Sequence, residues 1–164
     1  MIDAPRLVRS DTHTTAVIRI EVPRSEIQQV MEPAISEVLA ALHAQGVQPT
    51  GPLFSYHHRM DPGLFDFEVG FPVAVSVRPV GRVVSSRIPA STVARTVYHG
   101  PYEGLGSGWG GLTEWMKAEG HEAGPNLWER YLAGPETGPD ASKWRTELNR
   151  PVVRSESRSE PKGD

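Results

Sequence analysis

Two glutamates occupy matching places in a duplicated stretch of this 164-residue chain. Phe65-Asp66-Phe67-Glu68-Val69-Gly70-Phe71-Pro72-Val73 aligns without a gap on Trp144-Arg145-Thr146-Glu147-Leu148-Asn149-Arg150-Pro151-Val152, so that Glu68 falls on Glu147 and Pro72 on Pro151. A carboxylate in such a place can solvate an outer face, pair with a base, hold a cation or take a proton. Burial without a partner is costly, so an unpaired one marks a site. For Glu68 the ordinary account is a solvated face or an ion pair with Arg78 or Arg82. For Glu147 it is a pair with Arg145, two residues away on the same strand face.

A third carboxylate sits among aromatics. In Trp128-Glu129-Arg130-Tyr131, period-two geometry puts Glu129 and Tyr131 on one face and Trp128 with Arg130 on the other. Aromatic rings most often fill cores, but rings beside a carboxylate also suit a flat or cationic ligand, each cation–π contact contributing about 0.5–2 kcal/mol. All four tryptophans lie between Trp109 and Trp144, with Tyr98, Tyr102 and Tyr131 near them.

Other chemistries find less support. His57, His58, His99 and His121 have no metal-binding spacing, and adjacent strand residues point apart, so surface or strand-end positions are expected and no metal. Gly106, Gly108 and Gly111 form a G-x-G-x-x-G, yet a dinucleotide site needs a parallel βαβ frame that the repeat argues against. Each interior glycine costs a helix about 1 kcal/mol relative to alanine, so the alternative is close packing, with Leu105, Trp109, Leu112 and Met116 along one seam. Trp109, flanked by glycines, is the member of that seam expected to meet a ligand. No cofactor is expected.

These residues must be positioned by two similar units. Thr14–Val22 reads as a strand. Ile27, Val30, Met31, Ile35, Val38, Leu39 and Leu42 follow helical spacing, with Ser25 and Gln28 resembling a capping box. Pro33 implies either a kink or a regular helix starting near Glu32. Gly46 ends the run. Strands Leu53–His58 and Phe65–Phe71 flank the turn Asp61-Pro62-Gly63. Residues 81–91 form a connecting strand and loop. The order recurs as strand Thr92–Tyr98, helix Gly104–Glu119, strand Leu127–Leu132 and strand Trp144–Val153. The expected fold is α+β: a pseudo-two-fold repeat of two β-α-β-β units, about 14–73 and 92–153, giving an antiparallel sheet with two main helices and a central cleft in one domain, 1–153. Residues 154–164 are expected to be a disordered polar tail.

The formal net charge of −3 supplies no basic footprint for nucleic acid. No apolar run approaches the roughly 20 residues of a membrane helix, and no signal peptide opens the chain. Without cysteine there is neither disulfide nor thiolate metal site. A cytoplasmic protein is expected.

The run Val93-Ala94-Arg95-Thr96-Val97-Tyr98-His99-Gly100-Pro101-Tyr102-Glu103-Gly104-Leu105 resembles the signature of the GyrI-like small-molecule-binding family, which includes effector-binding domains of AraC- and MerR-type regulators. Gly124-Pro125, Trp128-Glu129-Arg130-Tyr131-Leu132 and Trp144-Arg145-Thr146-Glu147-Leu148 with Pro151-Val152 resemble it too. The resemblance implies a cleft for lipophilic, aromatic, often cationic compounds of the multidrug type. It places the family's key acid on Glu147, with Tyr131, Trp109, Trp128, Leu112, Tyr56 and Phe54 as candidate walls. It also implies an alternative, hydrolysis of strained cyclopropane-type electrophiles, with Glu147 as general base and Tyr102 or Tyr131 as proton donor. The stretch before the first strand leaves no room for a helix-turn-helix, so a stand-alone member without direct DNA binding or membrane contact is expected. Some relatives are associated with DNA gyrase, but nothing in this sequence supports gyrase inhibition.

Overall fold

The computed structural model describes residues 1–60 and 63–155. In chain order they form β1 (Arg6–Ser10), β2 (His13–Pro23), α1 (Ile27–Ala44), β3 (Phe54–Met60), β4 (Leu64–Pro72), β5 (Val84–Ile88), β6 (Ser91–His99), α2 (Leu105–Ala118), β7 (His121–Ala123), β8 (Leu127–Ala133) and β9 (Arg145–Ser155). The chain divides into two compact units: Asp11–Ala90, and Met1–Ser10 with the chain from Ser91 onward.

Each unit is a β-α-β-β motif with added strands, β5 in one and β1 and β7 in the other. In Asp11–Ala90 the strands lie in the order β3-β4-β2-β5, and in the other unit β8-β9-β6-β1. Both orders set the last strand of the motif between the other two, and all these pairings are antiparallel. The registers coincide as well. Glu68 lies opposite Tyr56 as Glu147 lies opposite Arg130, and Val69 opposite Ser55 as Leu148 lies opposite Glu129. The expected α+β fold is therefore present, with β3 on β4 and β8 on β9 in matching register.

Two short strands, β1 and β7, are additions to the expected plan; they satisfy backbone groups along β6 and β9 that would otherwise lack partners. The expected turn at Asp61-Pro62-Gly63 falls largely outside the described residues. So does the expected tail, except that β9 carries the chain through Ser155.

Helix α1 runs unbroken through Pro33 after a 3-10 turn at Arg24–Glu26. Ser25 lies inside that turn, and no side chain caps the helix, so the expected capping box is not formed. Pro33 is exposed on the solvent face. Its cost of about 3 kcal/mol is offset by the other face, where Ala34, Val38, Ala41 and Leu42 are buried against Ile18, Ile20, Phe67 and Val69. Complete burial of Val38 and Leu42 alone contributes about 1.5–3 kcal/mol each. Leu39, expected in the stripe, is instead 42% exposed. Both long helices stop at a glycine of positive φ, Gly46 (68°) and Gly120 (76°), where a side chain would be strained.

In the other unit α2 packs on Ala94, Tyr98 and Leu148 through Leu112 and Met116, with Leu105, Trp109 and Trp115 partly buried beside them. Tyr98 explains the glycines. Its ring is held flat by a hydrogen bond from its hydroxyl to the Pro101 carbonyl (2.8 Å). A Cβ on Gly108 would come within 3.0 Å of that ring, and one on Gly104 would meet the Tyr98 hydroxyl. Close packing, then, accounts for Gly104 and Gly108. The strand before them, β6, pairs antiparallel on both edges, which removes the parallel frame of a dinucleotide site. Gly106 and Gly110 face open space, with nothing within 4 Å. Gly106→Ala and Gly110→Ala are each expected to raise stability by about 0.5–1 kcal/mol, whereas Gly108→Ala lowers it by about 1–3 kcal/mol through overpacking on Tyr98. Urea denaturation of the three variants measures the difference, and a stabilised Gly108→Ala would refute the packing role of Tyr98.

Candidate functional site

Strand β8 sorts its side chains between two environments. Glu129 lies opposite Leu148, which is fully buried in the cluster with Leu112 and Met116 of α2. Glu129 and Tyr131 therefore project on the α2 side of the sheet, and Arg130 projects on the other. The Tyr131 hydroxyl donates to Oε1 of Glu129 at 2.8 Å. The Trp109 indole, reaching from α2, donates to Oε2 at 2.7 Å. Each carboxylate oxygen thus has a neutral donor, and among the described residues Glu129 makes no ion pair. Desolvation raises its pKa above the ordinary glutamate value, against the lowering effect of the two hydrogen bonds.

More rings extend this cluster. Tyr102, in the 3-10 turn that enters α2, meets Tyr131 edge-on at 5.9 Å and lies tilted against Trp144 at 5.2 Å. Its hydroxyl sits where a side chain on residue 134 would be, so Gly134 is the residue that admits it. Burial and the nearby Glu136 and Glu129 raise the Tyr102 pKa, which keeps it protonated. The Trp144 indole is anchored to the Gly138 carbonyl at 3.1 Å. Trp109, Tyr102, Tyr131, Trp144 and Glu129 all remain partly exposed. Rings that served only as core would be closed off like Trp128, which is 2% exposed.

The opposite face of the same strands is a neutralised network. Glu147 is 7% exposed and accepts from Arg130 (3.0 Å) and Asn149 (3.0 Å), with Arg95 at 3.6 Å. Arg145, the partner expected from sequence, instead donates to backbone carbonyls of Ser142 and Trp144. Trp128 lies opposite Asn149 on this face. Of the residues expected to line a site, then, Tyr131, Trp109 and Tyr102 come together around Glu129. Glu147 and Trp128 lie behind the sheet from them, and Leu112 is completely buried in the core. Phe54 and Tyr56 belong to the other unit, 2% and 7% exposed, on the face of the β3–β4 ladder that carries Glu68. Trp144 and Glu129 complete the cluster, and the parity of Glu129 and Tyr131 in the sequence is the signal that points to it.

Other carboxylates and histidines of the strands have structural partners, among them His99, which lies 2.8 Å from Asp3. Glu68 pairs with His58 at 2.9 Å rather than with Arg78 or Arg82; Arg82 is taken by Glu37, and Arg78 is held through its backbone by Gln45. Asp66 receives a two-pronged hydrogen bond from Arg19 (2.9 and 3.0 Å), which lowers its pKa. His57 points away from His58, stacking on Phe67 at 5.1 Å. It is buried rather than at the surface, and desolvation lowers its pKa to about 4. His121 is also buried, 5.4 Å from the Trp115 ring.

The fold is shared with several solved structures. The EcmrR C-terminal domain superposes with a TM-score of 0.81 at 24% identity, over 92% of this chain and 98% of that one. SAV2435 bound to tetraphenylphosphonium gives 0.66 at 12% identity, over 92% and 94%. A hydrolase encoded by lin2189 from Listeria innocua gives 0.62 at 14% identity, over 91% of each chain. Against the EcmrR chain of an EcmrR–DNA complex the TM-score is 0.79 at 24% identity, over 91% of this chain, which spans 57% of that one. No curated protein matches the sequence. The model of the GyrI-like small molecule binding domain matches residues 4–153, and the chain belongs to that family.

Proposed function

We propose that this chain binds lipophilic aromatic cations, with Glu129 as the counter-charge and Trp109, Tyr131, Tyr102 and Trp144 as the surrounding rings. The observation that carries this is a partly exposed glutamate whose carboxylate is desolvated and, among the described residues, hydrogen-bonded only to neutral donors, in an aromatic setting. A bound cation restores the electrostatic stabilisation that burial removed, and each ring adds about 0.5–2 kcal/mol when it meets the charge face-on. We pass the role that resemblance gives to Glu147 to Glu129, because two guanidiniums, Arg130 and Arg95, already neutralise Glu147 at its Oε1, which Asn149 also contacts. Tetraphenylphosphonium in SAV2435, a protein of the same fold, supports the ligand class.

Titration with tetraphenylphosphonium, followed by tryptophan quenching, tests the proposal. Glu129→Gln is expected to weaken binding about tenfold or more, equivalent to about 1.4 kcal/mol or more, while triphenylphosphine oxide, a neutral analogue, changes little. Glu147→Gln is the comparison: a variant that folds but loses cation selectivity as strongly as Glu129→Gln would refute the assignment.

Acidification supplies a second test. A carboxyl whose folded pKa is raised keeps its proton longer than in the unfolded chain. Its contribution to stability is therefore greatest below the ordinary glutamate range and is lost as pH rises through the raised value. A cation favours the ionised form, so affinity rises with pH through that same interval. Thermal melts and titrations across the acid range should show both slopes, and Glu129→Gln should remove this component of each. Unchanged slopes in that variant would contradict the role of Glu129.

Hydrolysis of a strained electrophile is the alternative, favoured by the 2.8 Å contact between the Tyr131 hydroxyl and Glu129. Glu129 would take a proton from water as the water oxygen bonds to one ring carbon and the ring C–C bond breaks; the leaving carbon would take its proton from the Tyr131 hydroxyl, which Glu129 then reprotonates. Incubation with a cyclopropane-bearing alkylator, read by mass spectrometry, decides. Ring opening lost in Tyr131→Phe with cation binding retained would favour the enzyme; saturable binding without turnover leaves the binding protein.

A further inference from the structure

The unit Asp11–Ala90 contains a cavity of a different chemical character. It has a volume of about 550 Å³ and is lined by Thr12, Thr14, Ser76, Ser85, Ser86 and Arg87. None of these residues belongs to the aromatic cluster. The base of the cavity is the ladder between β2 and the short strand β5, where Thr14 lies opposite Arg87 and the two side chains share a face. Ser76 comes from the irregular stretch between β4 and β5.

That stretch is held in place at several points. Val77 is buried in the core of the unit. The Ser85 hydroxyl accepts from the Val77 amide (2.7 Å) and donates to the Val77 carbonyl (3.3 Å). The Gln45 side chain makes a paired amide contact with the Arg78 backbone, both bonds 2.9 Å. Val80 and Val83 close a small bridge, and Arg82 pairs with Glu37 at 2.8 Å. The wall carrying Ser76 is therefore pre-organised, which reduces the ordering cost of binding.

The lining has donors to spare. Ser85 is committed to Val77, and Thr12 accepts from the Ala90 amide. Among the described residues, the side chains of Thr14, Ser76, Ser86 and Arg87 make no hydrogen bond or ion pair, and no carboxylate lines the cavity. An unpaired guanidinium with hydroxyl donors and no competing acid suits a tetrahedral oxyanion, which arginine can engage through two parallel N–H groups. The volume is that of a small-molecule pocket, well beyond a lone phosphate, and hydroxyl lining complements a hydroxylated body rather than an aromatic one.

We propose that this cavity is a second ligand site, in which Arg87 and the hydroxyls of Thr14 and Ser76 bind a small phosphorylated polyol by its phosphate. It is independent of the cation site, and failure of one leaves the other standing.

Titrations of the full chain with glucose 6-phosphate, inorganic phosphate and glucose, followed by amide NMR shifts, test it. Saturable shifts are expected at Thr14, Ser76 and Arg87, with affinity falling from glucose 6-phosphate to inorganic phosphate and absent for glucose. Arg87→Gln should weaken glucose 6-phosphate about tenfold or more, the order expected for loss of a charge-assisted contact. Arg87 is exposed and, among the described residues, its side chain makes no hydrogen bond or ion pair, so the variant should melt with the parent. Ser76→Ala gives a second, smaller loss. Equal affinity for the two phosphates would overturn the polyol part of the proposal. Shifts dispersed over other basic residues, shifts unaltered in Arg87→Gln, or no saturation with either phosphate would overturn the site.

Discussion

The register of β8 on β9 is the constraint from which the functional face follows. It sets Glu129 opposite Leu148 and Arg130 opposite Glu147, so two glutamates on neighbouring strands meet opposite fates. One finds a guanidinium across the ladder; the other finds an apolar neighbour, a helix and aromatic rings. Because side chains alternate, a slip of one residue would exchange the faces. A slip of β8 would turn Arg130 toward the apolar packing under α2, and a slip of β9 would turn Leu148 toward the side of Arg95. Burying that charge without its partner and unpacking that leucine both oppose the slip, so the ion pair on one side and the hydrophobic contact on the other enforce a single pairing.

That register would be of little use without the close approach of α2. Trp109 reaches Glu129 from the helix, and the helix lies near enough because Gly104 and Gly108 leave room for the Tyr98 ring. The 3-10 turn before the helix carries Tyr102, and the bare backbone at Gly134 receives its hydroxyl. Gly108, a member of the G-x-G-x-x-G in the sequence, thus has a steric role, as does Gly104 before it. They trade helix propensity, about 1 kcal/mol per residue, for the placement of an indole donor and a tyrosine ring.

Much of this frame is legible in the residues. The duplicated segment, the two glycine-stopped helices and the strand parities follow from local periodicity, and they recover the fold. Parity also groups Glu129 with Tyr131. What local pattern cannot supply is the cross-strand partner. Glu147 and Glu68 look equivalent along the chain, but their neutralisation by Arg130 and by His58 depends on pairing between strands, and for His58 on an irregularity of the ladder after His57. The same limit hides β1 and β7, whose short sequences become strands because partners are waiting. It hides the hydroxyl-lined cavity as well, whose walls come from three separated stretches of chain.

Duplication followed by divergence explains why one carboxylate is left over. Ser55 and His57 stand in the unit Asp11–Ala90 where Glu129 and Tyr131 stand in the other, as the matching registers show. Burial keeps His57 neutral near pH 7, with a pKa of about 4, and Ser55 is uncharged, so that helix-facing side of β3 holds no fixed charge at those positions. Asp66 and Glu68 point the other way and are paired with Arg19 and His58. The shared scaffold therefore tolerates a neutral pair at these positions and does not require an acid there. An acid retained without a cation, at a desolvation cost that raises its own pKa, works against stability unless a positively charged ligand offsets that cost. Selection for stability alone would favour the neutral solution already present in the sister unit, and the departure from it in Glu129 is the strongest mark of function that the fold carries.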